Sequence, residues 1–428
     1  MQYSIRFTLL ALLVLMLAAT PASGARAAKV LVCPAEGELS PDAEGWIRYG
    51  FQNYLGDLLR LSGGNEICPV GEQEGYLRGW IARRSVSFQD MSLKAGRNGY
   101  DWILTAESDG DMMTLLAFEV TGATIHQLAT FDPWGDSMDW QDEALENLDE
   151  LIPGAGSAVY HAIATRAAFE NLEQAIWQKN VAYMQHGDKS FPDQAAWKSA
   201  IKWIRSAILA DPRHAPTRFH AGHIYHIVRF AWRGVKEFDQ FFTLAPSATD
   251  FADEAGKYAS KDWYFLGYRD WEKKDMVSAE SSFARAVNLN PKNAQAWYWL
   301  GRVRMEKGDH DGSTKAFAHA AALQPNDDLA RYFKEREMRS AKVGGAAWDA
   351  FERGILAYGQ DRFEESRRHF KTAVSMNPGW FEARYWLARV CIVELEYSSE
   401  GRKIVDRMSA EEKSDSRVQY LIKVLKWK

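Results

Sequence analysis

Proline recurs at a fixed interval along the C-terminal two-thirds of this chain, and that interval restricts the fold more than any other feature. Pro212 and Pro246 are 34 residues apart, as are Pro291 and Pro325, and Pro378 closes a further unit. At 12, 8 and 5 positions before each proline stand a small residue, a large apolar residue and a second small one. The sets are Ala200, Ile204, Ala207; Gly234, Phe238, Phe241; Ala279, Phe283, Ala286; Ser313, Phe317, Ala320; and Ser366, Phe370, Ala373. Phe241 is the one residue too large for its small site. A repeat of this length marks helix–turn–helix units that cannot bury their faces singly and therefore stack into a solenoid. The proline ends the second helix of each unit, since it lacks an N–H and its ring clashes with the preceding turn.

The first helix of each unit has its own signature, a large residue followed three and four positions later by Leu-Gly. Trp263, Leu266, Gly267 and Trp297, Leu300, Gly301 carry it in full. Ala221-Gly222 with Tyr225 carries it in part, Gly354 keeps the small residue, and Leu387-Ala388 fits the last unit. Residues 158–428 therefore resemble the tetratricopeptide repeat (TPR) family, with five recognisable units behind a degenerate one, about six helical hairpins in all. Two stretches break the period, 247–259 and 326–346. The second holds a charged run, Arg331 to Arg339, then Gly344-Gly345, read as a helix stop. Ser416 to Trp427 reads as an amphipathic capping helix.

The resemblance implies a concave groove lined by the first helices. Carried over by position, the groove consists of Phe219, Tyr264, Tyr268, Trp271, Tyr298, Arg302, Phe351, Tyr385 and Arg389, with Met305, Trp348 and Tyr358 on the same face. Rings interspersed with arginine suit an extended or helical peptide; the alternative is that they pack between hairpins. The basic clamp with which one TPR subfamily grips C-terminal carboxylates is absent, because the fifth positions are aromatic. His214, His220, His223 and His226 cluster in one unit, where the last three drift round the helix and no carboxylate or Cys completes a metal set. They are read as peptide contacts or surface, and no metal or cofactor is expected.

Residues 29–131 have a different grammar. Lys29-Val-Leu-Val-Cys33 is a buried strand stopped by Pro34, and Trp46 to Leu61 carries helical periodicity ended by Gly63-Gly64. Glu66-Ile-Cys68, one or two helices over 76–99, a strand over 101–106 and a meander over 112–131 give the order β-α-β-α-β-β-β. The run Val30-Leu-Val-Cys-Pro34, Trp46 to Leu61, Gly99-Tyr-Asp-Trp-Ile-Leu-Thr105, Asp109-Gly-Asp111 and Glu119-Val-Thr-Gly122 resembles the N-terminal domain of TolB and the FlgO-like and CsgG-like envelope domains. Ala106 stands where that pattern has Gly. The resemblance implies an interaction module and supplies no catalytic residue. Residues 132–157 are read as a linker with an acidic helix over 139–151, closed by Pro153-Gly154; its Asp132, Asp136 and Asp139 lack an EF-hand pattern. The fold class expected is α+β multidomain, a small α/β domain followed by an all-α solenoid.

Residues 1–28 read as a signal peptide, with Arg6 before the apolar run Leu9 to Ala19 and small residues after it. The mature chain is therefore expected in a periplasm, or secreted, without a membrane span. Export permits a disulfide between Cys33 and Cys68, each closing a strand; two buried free thiols are the alternative. Cys391, on a repeat helix, reads as a small core residue. The net charge of -5 lacks the basic stripe of a nucleic-acid binder. G-x-S-x-G, H-E-x-x-H and P-loop patterns are missing from the sequence. The expected role is a non-enzymatic scaffold or adaptor for envelope proteins. A small-ligand sensor using the α/β domain is the alternative, and an envelope hydrolase a weaker one.

Overall fold

The computed structural model describes residues 27–38, 45–62, 65–109, 111–152, 163–186, 195–245 and 249–427. Nearly all of the leader, together with Gly63-Gly64, Pro153-Gly154 and Pro246, lies outside the described residues. The protein is mostly helical with an N-terminal sheet, and it divides into two compact units, residues 1–263 and 264–428.

In the first unit, strands β1 (Lys29–Val32), β3 (Glu66–Ile67) and β5 (Trp102–Ser108) are parallel, with β1 between the other two; β6 (Met113–Glu119) and β7 (Thr124–Phe131) continue the sheet antiparallel from β5. Val30, Leu31 and Val32 are fully buried, as a central parallel strand covered on both faces requires. Short strands β2 (Gly37–Glu38) and β4 (Ser85–Val86) pair separately. Helix α1 (Ile47–Ser62) crosses the sheet, followed by α2 (Val70–Arg83), α3 (Phe88–Arg97) and α4 (Trp140–Leu151). Cys33 and Cys68 are both buried free thiols, the second of the two readings that the sequence left open.

Repeat helices follow without a break in the core. They are α5 (Arg166–His186), α6 (Ala195–Ala210), α7 (Ala215–Ile227), α8 (Ala231–Leu244) and α9 (Asp250–Glu272). One hydrophobic cluster runs from Val30 through α1 and α4 to Tyr225 and Val228. Phe169 of α5 lies 5.0 Å from Phe51 and 5.6 Å from Tyr54, centroid to centroid. The acidic helix in the expected linker is part of this core: Trp140, Ala144 and Leu148 are buried, and Asn147 donates to the Leu128 carbonyl. The first compact unit thus ends at 263 rather than at the 132–157 junction, because the sheet and the first hairpins share one interior.

The hairpin contact that the repeat pattern demands is visible in both units. A Cβ on Gly222 would stand 2.7 Å from Phe238, and one on Gly301 2.9 Å from Phe317. The second unit holds α10 (Met276–Leu289), α11 (Ala294–Glu306), α12 (His310–Leu323), α13 (Asp328–Val343), α14 (Gly345–Gly359), α15 (Phe363–Met376) and α16 (Phe381–Arg389), which runs into a π-helical turn, Val390–Glu394. Helices α17 (Ser398–Asp406), α18 (Ala410–Ser414) and α19 (Ser416–Trp427) close it. Asp275, Asn293 and Asp309 cap successive helices by accepting from the N–H three residues on. The charged run 331–339 is an extra helix, α13, packed by Glu337, whose buried carboxylate accepts from Arg336 and lies 2.9 Å from His310 Nδ1. Gly344, at φ 92°, turns the chain from α13 into α14, as the stop reading anticipates.

Candidate functional site

The two units treat the same repeat surface in opposite ways. In the first, the first-helix face is covered by the chain's own α1 and α2. Helix α1 carries an apolar stripe and a polar one, and both are buried, since the polar stripe meets polar residues of α5 and α7. Asn53 donates to both carboxylate oxygens of Glu173, at 3.1 and 3.0 Å. Asp57 takes Arg60 at 2.7 Å and His220 Nε2 at 2.7 Å, and all three side chains are at most 2 % exposed. From α2, Glu74 pairs with Lys179, and Arg78 donates to Asn180 at 3.0 Å. Within the stretch 247–259, which breaks the period, residues 250–259 extend the N-terminus of α9. That extension lets the Glu254 carboxylate accept from the N–H groups of Val70 and Gly71, at 2.9 and 3.1 Å, where it faces the positive end of α2.

Burial sets the protonation chemistry of this face. Glu173 is pushed well above the usual carboxylate range by burial and then by the Asp57 charge. Burial drives His223 well below the ordinary imidazole value, helped by Lys179, His226, His220 and Arg78. Burial also raises Asp57, but the His220 and Arg60 charges outweigh it and hold its carboxyl low.

Two expectations are corrected here. Phe219 is a fully buried core ring, 4.2 Å from Phe251 and 5.8 Å from Phe241, whose bulk at the small site fills the space beneath the extended α9. His214, His220 and His223 are buried rather than groove-lining: His220 serves Asp57, His223 stacks on Tyr258 at 4.4 Å, and His226 lies 2.7 Å from Asp262. Among the described residues no group of three His, Cys, Asp or Glu is placed to hold a metal ion.

In the second unit the face is open. Tyr264, Tyr268 and Trp271 of α9 are partly exposed, as are Tyr298 and Arg302 of α11. The rings of Tyr268 and Trp271 lie 4.9 and 4.7 Å from Trp299, and Trp271 Nε1 donates to Glu306 at 3.1 Å. The Arg302 guanidinium sits over Trp299 and Phe333 at 5.7 and 5.1 Å and donates to the Tyr298 hydroxyl. Its Nε has no partner among the described residues. Further on, Arg389 donates to the Tyr358 hydroxyl at 3.1 Å and lies over Trp386. Between these two stations α13 intervenes, with Arg336 donating to Glu352 and reaching Met305.

Not every expected ring is available. Tyr385 is 5 % exposed, closed over by Val418 and Leu421 of α19 and by Arg417 at 4.8 Å. Phe351 is half-buried between Phe370 and Trp380. Trp299, Phe333 and Trp386 were missed by the positional rule. Trp299 and Trp386 follow directly after Tyr298 and Tyr385, so an aromatic pair at positions five and six of a first helix was the available signal.

Residues 270–336 and 351–394 match family models of the tetratricopeptide repeat. No curated protein matches the chain. Among solved structures, it is similar to a MamA protein at 21% identity over 46% of this chain and 91% of that one, with a TM-score of 0.26. YrrB, described as a TPR protein with an unusual peptide-binding site, is similar at 18% over 49% and 89%, TM-score 0.26. The pilF protein of Pseudomonas aeruginosa is similar at 14% over 60% and 97%, TM-score 0.23. The chain carries tetratricopeptide repeats, and those that the family models match lie in residues 270–394.

Proposed function

We propose that this protein is a non-enzymatic scaffold that holds an extended segment of a partner protein on the first-helix face of residues 264–428. The observation that carries this reading is the partly exposed Tyr268–Trp271–Trp299 cluster with Arg302 laid across it. Large rings and arginine, held in place by packing, supply most of the energy in peptide recognition. Binding proteins is the usual work of tetratricopeptide repeats, which supports the same reading. The leader expected over 1–28 and the resemblance of 29–131 to envelope domains support the reading that the partner belongs to the cell envelope. Cross-linking of the tagged protein in cells, beside a Tyr268→Ala, Trp271→Ala variant of equal thermal stability, tests this. One envelope protein captured by the native chain and lost from the variant is the expected result. Equal capture by both removes the aromatic face from the function.

A further inference from the structure

The sheet of the first unit is covered unevenly. Directly opposite residues of neighbouring strands lie on one face, so Thr105 of β5, Leu116 and Phe118 of β6, and Ile125 and Gln127 of β7 share a face. Helix α3 covers the β5 side of it. Met91 Sδ lies 3.8 Å from Thr105 Oγ1, and the Phe88 ring stands edge-on to Phe118 at 4.7 Å. Beyond Phe118 the cover thins: Leu116 is half-buried and Ile125 is 56 % exposed. A cavity of about 280 Å3 opens at this boundary, walled by Phe88, Met91, Leu116, Phe118 and Ile125. Thr105, the buried polar residue in its lining, already donates its hydroxyl to the Pro34 carbonyl at 2.8 Å. The interior therefore suits an apolar group.

Position and charge both point to a ligand. Strand β1 has β3 on one side and β5 on the other, so the strand order reverses between β1 and β5. Open α/β sheets bind ligands outside the carboxyl ends of their strands at such a reversal. The cavity lies there, with Glu36 just after β1 and Glu107 near the end of β5 both in its lining. Both are exposed, and neither has an ion-pair partner among the described residues. One oxygen of Glu36 accepts from the Phe88 N–H at 3.2 Å, and its charge stays unbalanced. The surroundings have a single sign as well. Residues 98–165, which supply β5, β6, β7 and α4, contain thirteen Asp and Glu and no Lys or Arg, in a chain whose net charge is only -5.

We propose that this cavity docks a basic segment of a partner protein by one aromatic side chain with lysine or arginine on either side of it. The ring enters between Phe88, Leu116 and Ile125, and the flanking cations meet Glu36 and Glu107. Clefts for whole small molecules run to about 300–1,000 Å3, so a cavity just under that range matches a single large side chain. A ring seated in such a pocket supplies most of the energy of docking, and the acidic surroundings steer a basic partner and reject an acidic one. The cavity lies wholly within residues 1–263, so its failure leaves the aromatic face of the second unit untouched, and the reverse.

Titration of the full chain with the blocked peptide acetyl-Lys-Lys-Phe-Lys-Lys-amide, followed by calorimetry and by thermal melting, tests the proposal. A saturable heat and a concentration-dependent rise in Tm are expected, both weakening as salt is raised. The same peptide with alanine in place of phenylalanine binds about tenfold or more weakly, and the one with glutamate in place of lysine gives no response. Glu107→Gln and Ile125→Lys, both at exposed positions, each weaken the response while the unliganded Tm stays as in the native chain. Calorimetry on Glu107→Gln keeps the answer clear if Ile125→Lys melts differently. Trp271→Ala, in the other unit, leaves the response unchanged. Absence of any saturable response, equal binding of the alanine peptide, or an undiminished response in the variants overturns the proposal. So does a response that disappears in Trp271→Ala, since the peptide then sits on the second unit.

Discussion

The repeats of the first unit and those of the second obey the same packing rule but end in different surfaces. Gly222 against Phe238 and Gly301 against Phe317 show one hairpin geometry. Yet the first-helix face of α5 and α7 is roofed by α1 and α2, whereas that of α9 and α11 in the second unit keeps its rings partly in solvent. The difference teaches that a helical repeat fixes the stack and not the fate of its face. What fills the face is decided by chemistry outside the repeat pattern.

Breaking the roof gives the largest effect. Asp57→Ala leaves the buried Arg60 without its counter-ion and His220 without its acceptor, and a loss of about 3–5 kcal/mol in urea unfolding is expected. A loss below about 1 kcal/mol would mean that the face is wet rather than sealed. The open face behaves differently. Trp271→Ala costs about 2 kcal/mol or more in partner binding, measured by titration with the captured partner, and changes unfolding by less than about 1 kcal/mol. The shared geometry is probed by Gly222→Ala and Gly301→Ala. Each drives a methyl into a phenylalanine ring, and each is expected to cost about 1–3 kcal/mol in chemical unfolding, with similar values in the two units.

A smaller effect comes from pH. His223 is neutral when folded, so its folded value lies below the unfolded value near 6.5. The unfolded chain then binds the extra proton as pH falls, and stability drops below about pH 6.5, by at most about 1.4 kcal/mol per pH unit for this one group. Glu173 runs the other way: its raised value gives stability that is present in acid and lost as pH climbs above the ordinary carboxylate range. Comparing Tm against pH for the native chain and His223→Gln isolates the first term, since only the native chain should show the acid-side fall that this histidine contributes. The smallest effect concerns the thiols. Burial pushes Cys33 up strongly and Cys68 up to about 12. In non-reducing conditions iodoacetamide should leave the folded chain unlabelled and modify all three cysteines once it is unfolded; modification of Cys391 alone would instead mean that Cys33 and Cys68 are bonded.

Much of the architecture was legible because it rests on local rules. Glycine opposite phenylalanine, asparagine or aspartate before a helix, and Val30-Leu-Val32 before Cys33-Pro34 each have one physical solution. The roof was not legible. Asn53, Asp57 and Arg60 form the polar stripe of an amphipathic helix, and amphipathicity turns such a stripe to water unless another polar surface meets it. The partners that meet it, Glu173 and His220, are more than a hundred residues away, in a degenerate repeat and in the histidine cluster. The period break at 247–259 was the available clue, since an insertion that lengthens a first helix needs something to reach. In the second unit the positional rule names Tyr268, Trp271, Tyr298 and Arg302, which are partly exposed. It overran at Tyr385, because the same column continues under the capping helix, where exposure ends.

The Glu254 carboxylate on the N-terminus of α2 has a further consequence, best expressed as a competition. Helices α1 and α2 occupy their repeats as a ligand already joined to its receptor, and a joined ligand competes at an effective concentration of about millimolar or higher. An external peptide arriving at the same face would have to outbid that occupant and also repair every buried charge that its departure strands. Micromolar affinity does not suffice for such an exchange. The protein therefore spends one of its two repeat faces on itself and leaves the rings of the other partly in solvent.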